Sequence, residues 1–528
     1  MVRRGKLTGI GVVVAVLVLG GCTGPDSPAG GGDSSGPSGP SATAASSADP
    51  GPAAPLLTEP MSHEFGPAYV DLVAVSRTAG TVVTARFRVV NDGGGTIDLT
   101  ATFGEEPLFN GDPGPWGESL SVSGAGLLDP VHNKLYLPLS TEDGTCLCSS
   151  TFSRLLKPGE SAELYAMFPA PPADVTRVTV TMPLTVPFQD VTLGSGPVGT
   201  PSDLRADPAT ARLRAPRILA VTSQSDGDVE SVTDSAENRS VRLSSDVLFA
   251  LNKADLTAQA TAALDKVAGQ INASTATAVK VDGHTDTTGN DAINEPLSRR
   301  RAEAVAGRLK TLVTRPGVTF QVAGHGSAEP VASNADEAGR RKNRRVTVAF
   351  IRPVPGPAPT PASPAAGMPY RSPEGAAPTL ATATFPGGTG SGLVARVNGL
   401  HRDASGLTTL VWTVENTGST PVDVSSEFEI FIQIHGQFSP HRAFTVGGVL
   451  LVDPATKTRH YPLTASSGQC LCTTTVGTGE AKSAFNPGES STYSASYELP
   501  PEVGTVEVWF PWTKGGYTMI KTSGLRVG

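Results

Sequence analysis

Aromatic side chains are scarce in this 528-residue chain, at 5% of all residues with four Trp. Glycine (59) and proline (45) are abundant instead, a balance that points to β-rich domains joined by unstructured linkers. No excess of positive charge exists. The formal net charge is −8, which argues against a nucleic-acid partner. Long apolar runs are missing too: Ile10–Leu19 falls short of the ~20 residues a membrane-spanning helix needs, and no other stretch comes nearer. Cysteine occurs five times, once at Cys22 and otherwise in two Cys-Leu-Cys units. Motifs for chemistry are also lacking. Nothing recognisable places a Ser or Cys nucleophile, and PGGTGSG (Pro386–Gly392) has no following Lys-Ser/Thr to make a phosphate loop. An enzyme and a bound cofactor are therefore not expected. The length suggests about three domains.

What is present is organised around Val281–Val305, VDGHTDTTGNDAINEPLSRRRAEAV. Val279, Val281 and Gly283 alternate with Lys280, Asp282 and His284, the period of a half-buried strand, which is expected to run to Asp286. Gly289 and Asn290 mark a turn, and from Asn294 the apolar residues Leu297, Ala304, Val305, Leu309 and Leu312 recur at helical spacing. Pro296 is expected in the first helical turn, where a missing N–H costs little. Asp286 at the strand tip would face Arg301 on the helix, a pair able to grip a zwitterion or to form an internal salt bridge. His284 and Asp286 on one strand side suggest acid/base work only if a nucleophile accompanies them; otherwise His284 is a strand-end histidine.

The blocks TD-x-x-G, N-x-x-LS-x-x-RA-x-x-V, GHGSAEPVASN and GR-x-x-NRRV, in this order between Val241 and Phe350, resemble the OmpA-like C-terminal domains. The resemblance covers about a fifth of the chain. It implies an α/β sandwich of order β-α-β-α-β-β, beginning with a strand at LSSDVLFAL (Leu243–Leu251), followed by a helix over Thr257–Ile271 and strands at Thr319–Ala323 and Arg345–Ile351. One or two further strands are expected between Ile218 and Arg242. It also implies a non-catalytic grip on peptidoglycan through the diaminopimelate of the stem peptide. Asp286 would take the ligand's ammonium and Arg301 its carboxylate, with Asn294 and Arg345 lining the pocket and backbone N–H groups at the helix start favouring the carboxylate.

The first residues carry Arg3, Arg4 and Lys6, then the apolar core, then Leu19-Gly20-Gly21-Cys22, which resembles a bacterial lipobox. By that resemblance residues 1–21 are a signal peptide, Cys22 takes a diacylglyceryl group, and the rest is exported and held at the membrane surface in the cell envelope. Residues 22–57 are Gly/Ser/Pro/Ala-rich and are expected to stay disordered, with a reach of up to ~100 Å.

Two all-β regions, 58–195 and 379–528, enclose the central domain (217–353) and a Pro-rich linker (354–378). FRVVNDG (Phe87–Gly93) matches WTVENTG (Trp412–Gly418), and LLDPVHNKLYLPL (Leu127–Leu139) matches LVDPATKTRHYPL (Leu451–Leu463). KPGES from Lys157 likewise matches NPGES from Asn486. They read as two copies of one domain, expected to be an immunoglobulin-like β-sandwich. Cys146/Cys148 and Cys470/Cys472 occupy matching positions. In an oxidising compartment each pair is expected to close on itself, as a structural staple or a redox-active ring. Metal ligation with His132 or His460 is the third option, opposed by the register, which sets His132 against Thr456 and His460 against Tyr136. The expected function is a non-catalytic lipoprotein tethering membrane to wall. The alternatives are an adaptor whose sandwiches bind an envelope protein and an enzyme of wall metabolism.

Overall fold

A computed structural model describes residues 54–62, 67–100, 102–104, 120–198, 203–353, 378–386, 392–423, 447–468, 470–473, 484–512 and 518–528. Cys22, the expected signal peptide and nearly all of both expected linkers lie outside the described residues.

The central unit contains β1 (Ile218–Asp226), β2 (Glu230–Asp234), β3 (Asn238–Ser244), α1 (Ser245–Leu248), α2 (Ala258–Ala273), β4 (Ala278–His284), α3 (Asp291–Leu312), β5 (Thr319–Gly324), α4 (Glu337–Asn343) and β6 (Arg345–Ile351). Its strand order is β1-β2-β3-β6-β4-β5, antiparallel except for the β4–β5 pair. In β4 the pattern is strict: Val279, Val281 and Gly283 are buried, whereas Ala278 and Lys280 are exposed. The buried side meets Leu264, Val267 and Ile271 of α2 and Ala302, Val305 and Leu309 of α3 in one core. The starts of α2, α3 and α4 are capped by Thr257, Asn290 and Asp336, each side chain accepting from the backbone N–H three residues on.

The element order β3-α2-β4-α3-β5-β6 is the expected mixed α/β one, with two added strands at the front. Three local expectations are corrected. LSSDVLFAL is not a strand: β3 ends at Ser244 and α1 follows. A short apolar run such as Val247–Phe249 does not by itself separate strand from helix. β4 stops at His284, because the Thr285 N–H turns away to the Gly326 carbonyl. α3 begins at Asp291, so Pro296 is its sixth residue and lies past the first turn.

Among the described residues each flank is built on two larger sheets, with a short two-stranded one beside them. In the N-terminal flank, strands Leu57–Met61, Ala68–Ala79, Val82–Asn91 and Ser161–Pro169 pair in that order. Phe188–Thr192, Arg177–Thr181, Gly126–Asp129 and Lys134–Tyr136 form the second sheet. The C-terminal flank pairs Ala381–Thr384, Leu393–Arg402, Leu407–Asn416 and Ser490–Glu498. Its other sheet is Thr518–Lys521, Thr505–Trp512, Leu450–Val452 and Arg459–Ala465. Cys146 is bonded to Cys148 and Cys470 to Cys472, each ring beside the third long strand of its own flank through Cys148–Ala166 and Cys472–Ala495 bridges.

The flanks meet on β1. The Val221 N–H donates to the Asn133 carbonyl of the N-terminal flank, and the neighbouring Ala220 carbonyl accepts from the Ser466 N–H of the C-terminal flank. The two groups belong to one trans peptide unit, whose C=O and N–H point to opposite edges of a strand, so the flanks occupy opposite edges of β1. Leu128, Leu135, Leu137, Val221, Leu407, Leu463 and Leu471 form one apolar cluster across this seam. Beside it Arg352 donates to Glu498 (Nη2–Oε1 3.0 Å) and to the Asn133 side-chain oxygen (2.9 Å). Asp234, held by Arg239 (Nε–Oδ1 2.7 Å), lies 3.8 Å from the Arg352 Nε. Contributions from all three units thus satisfy one buried charge cluster.

Candidate ligand-binding site

Two glycines let α3 sit directly on the sheet. A Cβ on Gly283 would lie 2.0 Å from the Ser298 carbonyl oxygen, and one on Gly324 would lie 2.4 Å from the Arg299 nitrogen. The Ser298 hydroxyl accepts the Gly326 N–H (3.0 Å) and donates to the Glu295 carbonyl (2.8 Å). This close contact fixes the β4–α3 loop against the helix.

Within that loop Asp286 is 6% exposed. Its Oδ1 accepts the Thr288 N–H at 2.8 Å, the turn that brings the chain to Gly289 (φ +92°) and the Asn290 cap. Asn294 closes the loop from the helix, donating to the Thr288 and Asp286 carbonyls (3.2 and 3.4 Å). The Asp286 Oδ2 accepts from Arg344 Nη1 at 2.6 Å. Arg344 is a hub: its other nitrogens donate to both oxygens of Asp246 (2.9 and 2.7 Å) and to Glu337 (2.7 Å). Burial alone would raise the Asp286 carboxyl, but the bonds from Arg344 and Thr288 outweigh it and hold it below the ordinary value. The same carboxylates, Asp246 foremost, raise Arg344.

Arg301 is also buried, with its Nε donating to the Lys253 carbonyl (2.9 Å) and its guanidinium 5.2 Å from the centre of the Phe249 ring. It makes no ion pair with a described residue, and in particular none with Asp286. Burial lowers its pKa, while Asp246 and Asp286 are near enough to oppose that shift. Leu251 (88% exposed) and Ile293 (60%) stand on the α1–α2 and α3 segments that carry these groups.

The four residues expected to line a pocket are therefore distributed unequally. Asp286 lies in the β4–α3 loop and Asn294, in the first turn of α3, bonds that loop; Arg301 stands further along α3, and Arg345 shares no hydrogen bond or ion pair with these three. Its guanidinium donates to the Glu329 and Asn343 carbonyls (3.0 and 3.3 Å), and burial together with Arg242 pushes it down to about 10. The cation on Asp286 is its neighbour Arg344. The sequence signal for Arg344 was the paired arginine of NRRV, but one arginine begins β6 and the other precedes it, and spacing alone does not say which reaches Asp286. His284 stacks on His325 at 5.0 Å and is pushed down to about 3 by burial, then by Arg345 and His325. Among the described residues no group of His, Cys, Asp and Glu is arranged to hold a metal.

Residues 248–344 match the model of the OmpA family, a segment that includes Asp286, Asn294, Arg301 and Arg344 and ends one residue before Arg345. Over 123 residues the chain is 37% identical to the putative lipoprotein YfiB of Escherichia coli, covering 23% of this chain and 76% of that protein. The chain belongs to the OmpA family. A second OmpA-type relative, the outer-membrane lipoprotein YfiB of Pseudomonas aeruginosa, is 39% identical over 106 residues, 20% of this chain and 62% of its own length. The peptidoglycan-binding protein ArfA of Mycobacterium tuberculosis is 44% identical over 87 residues, 16% of this chain and 26% of its own. None of these names is that of an enzyme. The OmpA match leaves β1, β2, β3 and both flanks outside it.

Proposed function

We propose that this chain is a non-catalytic, lipid-anchored tether whose OmpA-family domain grips peptidoglycan through the diaminopimelate of the stem peptide. The observation that carries the reading is the pairing of unlike groups at one loop. Asp286 is buried yet held ionised, and Arg301 stands across from it with no ion-pair partner among the described residues. A ligand end bearing both an ammonium and a carboxylate answers both needs. Each Asp286 oxygen receives one bond from the protein and keeps acceptor capacity for an ammonium. The relatives support the class of ligand, since ArfA carries peptidoglycan binding in its name. Asn294 shapes the loop, and Arg345 supports the segment that presents Arg344. Cys22 supplies the anchor.

The flanks are read as two copies of one immunoglobulin-like domain that spaces and orients the wall-binding unit. Support comes from matched details. Asn91 and Asn416 each donate to one carbonyl of their own loop (Gly95, Thr420) and one on a distant strand (Leu156, Phe485), and Arg77 and Arg402 each clasp the two carbonyls of a proline pair and that of a valine just beyond it. Asn133 and Lys457 both take positive φ at the same point of the match.

The test is binding of residues 23–528, the chain without its signal peptide and Cys22, to purified sacculi. Each charge-assisted bond is worth ~1.5–3 kcal/mol. Asp286→Ala or Arg301→Ala is therefore expected to weaken binding roughly 10- to 100-fold with circular dichroism unchanged. Arg301→Lys should restore only part, because an ammonium makes no forked contact. Wild-type binding by a folded Asp286→Ala/Arg301→Ala double variant would refute the assignment.

A further inference from the structure

His460 lies in the Arg459–Ala465 strand, opposite Ser225 of β1 on one side and Leu451 on the other. It therefore sits on the ladder that joins the C-terminal flank to the central unit. The ring is 2% exposed, and its Nε2 is buried with no hydrogen-bond partner. The N-terminal flank has Tyr136 at the matching place, so the histidine is particular to this seam.

Charged groups face it from every side. Asp453 comes from the preceding turn, Lys266 from α2, Arg402 from the Leu393–Arg402 strand and Glu498 from the Ser490–Glu498 strand. On β1 itself, Asp226 is held by Lys342 and lies 3.9 Å from Arg459. The nearby acids are already engaged, Glu498 with Arg352 and Asp453 with the Thr456 hydroxyl and the Ala455 N–H, while the cation Lys266 is paired with Glu230. The Nε2 itself meets no acceptor, so a proton placed there would be a buried, unpaired positive charge.

We propose that His460 makes the seam between the C-terminal flank and the central unit acid-sensitive, a proton on its ring opening the ladder between β1 and the Arg459–Ala465 strand. A neutral imidazole tolerates the dry interface, and an imidazolium beside Lys266 and Arg402 does not. Burial foremost, with Lys266 and Arg402, pushes the ring down to about 4 from 6.5, against the opposing pull of Asp453 and Glu498. With the closed-state value depressed, closure is undiminished above about 6.5 and weakens as pH falls towards about 4. The change is up to about tenfold per pH unit.

Hydrogen exchange of the exported chain, corrected for intrinsic rates, reads this directly. Between pH 7 and 4.5 protection in β1 and Arg459–Ala465 should fall roughly 10- to 100-fold, while Val82–Asn91 of the N-terminal flank keeps its protection. His460→Asn and His460→Tyr should abolish that fall. A seam that stays closed in the wild type at pH 4.5, or one that opens equally in the variants, overturns the proposal. If neither variant retains protection in Leu407–Asn416 at pH 7, the wild-type ring decides. A His460 titration by NMR well below 6.5 upholds the inference, and one at or above 6.5 ends it.

Discussion

Replacing Arg344 by Gln tests how the candidate site holds its carboxylate. Arg344 makes four bonds, but they are not equal. Its partners Asp246 and Glu337 are 40% and 55% exposed at the side chain, so those pairs count for ~0–1 kcal/mol each. The Asp286 side chain is 8% exposed, and its 2.6 Å bond is the one that matters, worth ~1.5–3 kcal/mol. Arg344→Gln should therefore leave the fold in place, lower the melting temperature by a few degrees and weaken binding to sacculi by roughly tenfold or more at pH 7. Its signature is the pH profile. In the wild type Arg344 and Thr288 hold the Asp286 carboxyl below its ordinary value, so ligand binding that needs the carboxylate persists until the pH falls through that depressed value. Without Arg344 the carboxyl rises, and binding should disappear at a higher pH. Co-sedimentation with sacculi from pH 8 to pH 4, beside thermal melts, measures both. A variant that binds like the wild type over that whole range, or more tightly, would show that Arg344 neither positions nor charges Asp286.

Gly283→Ala should cost well over ~1–3 kcal/mol, since its Cβ must enter at 2.0 Å from the Ser298 backbone rather than a movable side chain; a chemical denaturation midpoint matching wild type would contradict the close-approach argument. Unreduced peptide mapping should find Cys146–Cys148 and Cys470–Cys472 rings and no peptide linking the flanks. Cys146 and Cys148 are both buried, so dithiothreitol should open their ring only as the flank unfolds, followed by mass shift on alkylation under native conditions. Cys22→Ala should release the protein from the membrane fraction or leave it unprocessed, because stable residence takes two acyl chains; processing and membrane retention like the wild type would exclude the lipid anchor.

The strand–loop–helix of the site was legible in sequence because its signals are local: alternation in Val279–Gly283, the Gly289 turn and the spacing of Leu297, Val305 and Leu309. That Asp286 and Asn294 flank one turn, at the strand end and the helix start, followed from the same signals. The partner of Asp286 did not, since Arg344 is distant in sequence and is delivered by α4, whose seven residues carry little periodicity. The buried stripe of α3 was only partly visible as well, because it includes Asn294, Ser298 and Arg301, polar residues that an apolar pattern passes over. The expected strand at LSSDVLFAL failed for want of length. Least legible was β1. Its sequence, ILAVTSQSD, alternates like any edge strand, and nothing local announces that both its edges are taken by segments as far away as Asn133 and Ser466.

That double pairing bears on where this protein can be divided. The family match spans residues 248–344, yet a fragment trimmed to the neighbouring boundaries, residues 217–353, would retain β1 with its N-terminal half unpaired on one edge and its whole length bare on the other. Val221, now wholly covered, would face water, and such a strand is a template for self-association. Homology and foldability have different borders here. At neutral pH the flanks cover a sticky strand, so deletion of either one should surface as aggregation of the wall-binding part before it surfaces as loss of any contact the flank itself makes.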